Sequence, residues 1–129
     1  MQEKNLFEYA VIRVVPKVER EEFLNVGVVV YSARQKFLQT KFSLDTKRVK
    51  AFCGNCDIDE IEEYLRSFER ICQGGTDAGP IGKLPTAERF RWLTATRSTV
   101  VQTSKVHTGL SEDVPGMLNR LYSQLVLVE

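Results

Sequence analysis

Between Leu6 and Val15 apolar residues occupy both parities of an extended chain: Phe7, Tyr9, Val11 and Val15 on one, Ala10, Ile12 and Val14 on the other. A strand with two apolar faces needs cover on both, so this segment is predicted to lie inside a sheet. Pro16 ends it, because proline has no N–H to donate to a ladder, and Lys17 to Glu22 reads as a charged connector. Leu24 to Tyr31, rich in valine, predicts a second strand in which Gly27 marks a bulge or a close backbone approach. Ser32 to Lys36 is a polar turn. From Phe37 to Leu44 the pattern alternates, with Leu38, Phe42 and Leu44 set against Gln39, Lys41 and Ser43. That is a half-exposed strand, and the three together predict an antiparallel meander.

The period then lengthens. Asp45 can cap a short helix through Phe52, ended by Gly54. Asp57 followed by Glu60 resembles a capping box, and behind it Ile58, Ile61, Leu65, Phe68 and Cys72 recur at spacings of three and four. Gly74 and Gly75 stop this helix and a long loop follows. Phe90 to Ala95 and Ser98 to Thr103 read as two further short strands. Ser111 is placed to cap a last helix striped by Val114, Leu118, Leu121 and Leu125, with Pro115 in its first turn. The order predicts one α+β domain over 1–129. Its antiparallel sheet has about five strands, a meander plus a hairpin, with two to three helices packed on it.

Composition narrows the function classes. The 129 residues are 43% hydrophobic and 27% charged, with a formal net charge of +1. These are globular values, and attraction to polyanions would have to come from a local patch. No apolar run approaches a membrane span, and MQEKNLFEY lacks the apolar core of a signal peptide, so a cytoplasmic location is expected. Three cysteines, an odd number, argue against structural disulfides. Cys53-Gly-Asn-Cys56 has the spacing of half a zinc site, but only Cys72 and His107 remain as soft ligands to complete it. Chemistry that needs two histidines is excluded, because His107 is the only one. No metal and no cofactor is expected.

The least filler-like stretch is Gly74 to Gly109, which holds five of the eight glycines, the only tryptophan (Trp92) and the only histidine. Its glycine-rich start lacks the Gly-Lys-Ser/Thr ending of a phosphate loop and follows a helix, so turn chemistry is the favoured reading, with an anion nest as the alternative. If Glu88-Arg89-Phe90-Arg91-Trp92 is a strand, alternation sends Phe90 and Trp92 to the core and Arg89 and Arg91 outward. Arg97, Ser98 and Thr99 would extend that basic surface, which suits carboxylate or phosphate. Arg13 sits on an otherwise apolar parity, and an ion pair with Glu19 or Glu22 is expected there.

Several peptides resemble those of the bacterial domain of unknown function 3037. They are Tyr9-Ala-Val-Ile-Arg-Val-Val-Pro16, Glu22-Phe-Leu-Asn-Val-Gly-Val-Val30, Asp77-Ala-Gly-Pro-Ile-Gly82, Glu88-Arg-Phe-Arg-Trp-Leu93, Arg97-Ser-Thr-Val-Val101 and Val106-His-Thr-Gly109. The Cys53–Cys56 segment lies outside that signature. The resemblance implies a small stand-alone cytoplasmic protein without assigned activity, some of whose relatives are encoded beside kinases resembling the HipA toxin type, hence a kinase-like partner. By motif it carries over Arg13, Asn25, Asp77, Glu88, Arg89, Arg91, Arg97, Ser98 and His107 as candidate ligand-binding residues. The expected function is a non-catalytic binding or accessory module whose arginine-rich surface takes an anionic ligand or a protein partner. The alternatives are an enzyme acting on phosphate esters or nucleic acid through Asp77 and Glu88, and a single-stranded nucleic-acid binder using Trp92.

Overall fold

Strand β1 (Asn5–Val14) is the hub of the structure, a computed structural model that describes residues 3–127. It pairs antiparallel with β2 (Leu24–Ser32), which pairs in turn with β3 (Phe37–Phe42), giving the meander that the alternation predicts. The other edge of β1 is shared by two short strands, β4 (Val101–Thr103) against Ile12–Val14 and β5 (His107–Ser111) against Asn5–Tyr9. Ser104 bridges the break between them. Its N–H donates to the Val11 carbonyl at 2.8 Å, and its Oγ accepts from the Val11 N–H at 2.8 Å. The sheet thus has five antiparallel strands, as expected, and its members all lean on β1 directly or through β2.

Helices cover both faces, which is why β1 is apolar on both parities. On one side Ala10, Ile12 and Val14 pack with Val29 and Tyr31 beneath α1 (Thr46–Phe52), α2 (Ile58–Gln73) and α3 (Thr86–Thr94). On the other, Phe7, Val28 and Val30 meet α4 (Val114–Leu125) through Val114, Leu118, Leu121 and Tyr122. Helix α2 buries Ile61, Leu65, Phe68 and Cys72 of the stripe read from the sequence, adds Ile71, and leaves Ile58 partly buried at its start. Each such side chain contributes about 1.5–3 kcal/mol when fully buried. No helix among the described residues is long and apolar enough to cross a membrane.

Local signals held at most element ends. The carboxylates of Asp45 and Asp57 accept from the N–H groups of Arg48 and Glu60, each at 3.2 Å, and cap α1 and α2. Gly27 serves both expected roles. The β1–β2 register slips beside it, since Ile12 faces Gly27 while Arg13 faces Asn25. A Cβ on Gly27 would also come within 2.7 Å of the Phe42 Cβ.

Three expectations need correction. The expected strand Phe90–Ala95 is helical, lying mostly in α3, because helical turns bury Phe90 and Leu93 together at 3% and 2% exposure. This adds one helix to the expected count, giving four α-helices among the described residues. Strand β5 comes from residues 107–111 instead, and the two short strands both pair with β1. The cap of α4 is Asp113, whose carboxylate accepts from the Gly116 N–H at 3.0 Å; Ser111 supports it by accepting from the Asp113 N–H at 3.0 Å.

Candidate functional site

The glycine-rich loop folds back on itself at the end of α2. Gly74 and Gly75 take φ of 77° and 92°, in the left-handed range that glycine tolerates best. The Gly75 N–H donates to the Gly82 carbonyl at 3.0 Å, closing a loop that encloses the 3-10 turns of Thr76–Lys83. A Cβ on Gly82 would lie 2.2 Å from the Gly75 carbonyl oxygen, so the closure demands glycine there. This is turn chemistry, and Asp77 sits exposed on its outer side.

Arg89 locks that loop to the helix. Its Nη1 donates to the carbonyls of Ile71 and Cys72, both at 2.8 Å, and its Nε to the Leu84 carbonyl at 3.0 Å. Its Nη2 reaches the Thr86 hydroxyl at 3.3 Å. The last carbonyls of a helix lack intrahelical donors and carry partial negative charge, so a guanidinium is well suited to them. Arg89 is therefore engaged within the fold and is not part of an outward basic pair with Arg91. Beside it Cys72 is buried, and burial pushes its thiol up to about 12, against a smaller opposing pull from the Arg89 charge.

The outward side of α3 carries the chemistry that remains. Glu88, Arg91 and Trp92 are exposed, and Trp92 at 46% exposure is not the core residue that a strand would have made it. The Arg97 guanidinium stands 4.9 Å from the centre of the Trp92 ring and its Nη2 donates to the Trp92 carbonyl. Partial burial lowers the Arg97 pKa from its ordinary value, yet a guanidinium stays charged under any ordinary condition. Arg91 makes one long hydrogen bond, 3.4 Å to the Ala87 carbonyl of its own helix. Ser98 is exposed on the connection that follows.

A separate group lies on the α4 side of the sheet. Arg13 and Asn25 face each other across β1 and β2. The expected ion pair is absent among the described residues: Glu22 pairs with Arg20, and Arg13 instead lays its guanidinium 3.8 Å from the centre of the Phe23 ring. A cation over an aromatic face gains electrostatic attraction without desolvating a carboxylate. Asn25 Nδ2 donates to the Leu125 carbonyl at 3.1 Å and so ties β2 to the end of α4. Arg13 Nε and Asn25 Oδ1 are buried without a partner among the described residues. His107 is exposed on β5, stacked on Tyr9 with ring centres 5.2 Å apart.

The nine candidates thus divide. Arg89 is an internal clasp, Glu88, Arg91 and Arg97 belong to the α3 surface, Asp77 and Ser98 sit on exposed connections, and Arg13, Asn25 and His107 share the opposite side. Among the described residues no group of three or more His, Cys, Asp or Glu side chains is placed to hold a metal ion. What sequence reasoning passed over is a cleft of about 540 Å³ at the corner between α1 and α2. Lys17, Arg20, Glu22, Phe52, Cys53, Cys56, Asp57 and Glu60 line it. No local signal marks it, because its walls come mainly from residues 16–22 and 52–60, which only the fold brings together.

A family model described as "Protein of unknown function (DUF3037)" matches residues 9–126, from the middle of β1 to the end of α4. The chain belongs to the DUF3037 family. The match takes in the whole Arg89 clasp, the α3 surface and the cleft, so each is part of the DUF3037 domain of this chain. No curated protein and no solved structure matches it.

Proposed function

We propose that this DUF3037 domain is a non-catalytic recognition module that presents the outward side of α3 to an acidic protein surface. The observation that carries the reading is the pairing of exposed Trp92 with Arg97 at 4.9 Å. An exposed indole with a guanidinium beside it supplies apolar contact area and a fixed charge together, the composition enriched at the centres of protein interfaces. Neither Arg91 nor Arg97 is paired with a carboxylate among the described residues, so both charges are available to a partner. The family resemblance makes a HipA-like kinase the first partner to assay.

The test is a titration of that kinase with the wild-type domain and with Trp92→Ala and Arg97→Ala, each checked for fold by circular dichroism. Loss of a central aromatic or arginine contact weakens binding by about 2 kcal/mol or more, roughly 30-fold. Equal affinity for all three proteins would remove the α3 surface from the reading, and no binding by the wild type would remove the kinase. Exposure of Trp92 also favours stacking on a single-stranded nucleic acid, which needs an accessible indole face. Salt-sensitive quenching of Trp92 fluorescence by an oligonucleotide, with none by the kinase, decides for that second reading.

A further inference from the structure

We propose that Cys53 and Cys56 form a dithiol–disulfide pair, oxidised reversibly by a small disulfide that reaches them through the cleft between α1 and α2. Cys53 is the C-terminal cap of α1, with its N–H donating to the Val49 carbonyl at 2.7 Å. Gly54 and Asn55 then turn the chain, so that the Cys56 N–H points to the Cys53 carbonyl at 3.4 Å. A turn of four residues brings its first and last Cα atoms within about 7 Å, the span a disulfide needs. The two thiols are also near neighbours, since Cys53 adds to the upward push on the Cys56 thiol. Gly54 has open space around it, which leaves the corner free to close. Both residues are half-buried and both line the 540 Å³ cleft, whereas Cys72, the third thiol, is buried at the far end of α2.

The chemistry follows from that asymmetry. Thiolates, and not thiols, attack disulfides. Desolvation first, and then the contact with Cys53, push the Cys56 thiol up to about 11. Cys56 therefore keeps its proton near neutral pH and is assigned the second attack. Cys53 loses its proton to water and its sulfur attacks one sulfur of the small disulfide, RSSR. One RS⁻ departs and takes up a proton, leaving Cys53 joined to the second R group as a mixed disulfide. The Cys56 sulfur then attacks the Cys53 sulfur, gives up its own proton and expels the second thiol. In sum the two protein thiols and RSSR become the Cys53–Cys56 disulfide and two RSH, with two electrons passed to the small disulfide. Lys17 and Arg20 share the cleft wall with Glu22, Asp57 and Glu60, so charges of both signs face the reagent and none selects it by net charge.

Oxidised glutathione is the probe. The reduced full chain is equilibrated with glutathione mixtures near pH 8, quenched with acid, alkylated under denaturing conditions and weighed intact and as peptides. The expected result is loss of two of the three thiols, a mass lower by two hydrogen atoms and a peptide carrying Cys53 linked to Cys56. Dithiothreitol restores all three thiols, and Cys53→Ser abolishes the loss of hydrogen mass while Cys72→Ser leaves it intact. The proposal is overturned if the wild type keeps both sulfurs alkylatable, stops at a stable glutathione adduct, or pairs either cysteine with Cys72.

Discussion

Arg89 and Arg91 lie two residues apart on one helix and carry the same side chain, yet their substitution by alanine is expected to differ by several kcal/mol. Arg89→Ala removes four hydrogen bonds from one guanidinium. Bonds to a charged donor are each worth about 1.5–3 kcal/mol net, a gross figure that overcounts because they act together. The hydrogen bonds to the carbonyls of Ile71, Cys72 and Leu84 are part-buried, so water replaces some of what is lost. We therefore expect a cost of about 2–4 kcal/mol, a large share of the roughly 5–15 kcal/mol that holds a domain folded. For a chain of this length that lowers Tm by roughly 10 °C. Arg91→Ala gives up one long bond within its own helix and should stay within about 0.5 kcal/mol of wild type. Arg89→Lys keeps the charge but loses the fork that spans three carbonyls, so it should recover only a minor part of the loss. The assay is urea and thermal unfolding of the three variants side by side. Equal destabilisation by Arg89→Ala and Arg91→Ala would refute the clasp.

Three further outcomes follow from the geometry. Gly82→Ala drives a methyl group to 2.2 Å from the Gly75 carbonyl oxygen and should cost about 1–3 kcal/mol in chemical denaturation, whereas a cost under a few tenths would show that the loop is not closed as described. Trp92 should fluoresce as a wet indole, with emission near that of the unfolded chain and ready quenching by acrylamide; a blue-shifted, protected band would place it in the core after all. Cys72 ties stability to alkaline pH. Its thiol is raised in the folded state to about 12 from an ordinary value of 9.0, so its contribution is complete below about pH 9 and declines as pH rises toward 12. The decline should approach 1.4 kcal/mol per pH unit, and Cys72→Val should remove that component from urea midpoints measured between pH 9 and 11. Identical slopes for the two proteins would contradict the burial of the thiol.

The legible part of this protein is its local pattern. Two apolar parities in β1 required cover on both faces, and the alternation of β3 and the stripes of α2 and α4 named their own inward residues. Asp45 and Asp57 announced helix starts through carboxylates one turn from free N–H groups. These properties depend on residues a few positions apart, and a sequence displays them directly. Residues 86–94 marked the limit. Arg-Phe-Arg-Trp alternates as a strand does, and over four residues that pattern does not separate the two periods. Only packing decided it, because a helix turns Phe90 onto Tyr31, with ring centres 5.1 Å apart, and Leu93 into the same core.

The same decision redistributed the candidate site. The sequence by itself determined which side chains carry charge, sulfur or an indole, and that one segment holds most of the unusual ones. It also determined that one histidine and three cysteines restrict the chemistry. Tertiary structure alone decided that Arg89 faces inward to α2 carbonyls and that Arg13 rests on Phe23. It likewise left Trp92 in water under Arg97 and brought Lys17, Arg20 and Glu22 over Cys53 and Cys56 to make the cleft. The physical reason is that a guanidinium, a thiol or an indole acquires its role from the carbonyls, rings and solvent around it. Those neighbours come from elements far apart in the chain, so composition supplies the reagents and the fold assigns their work.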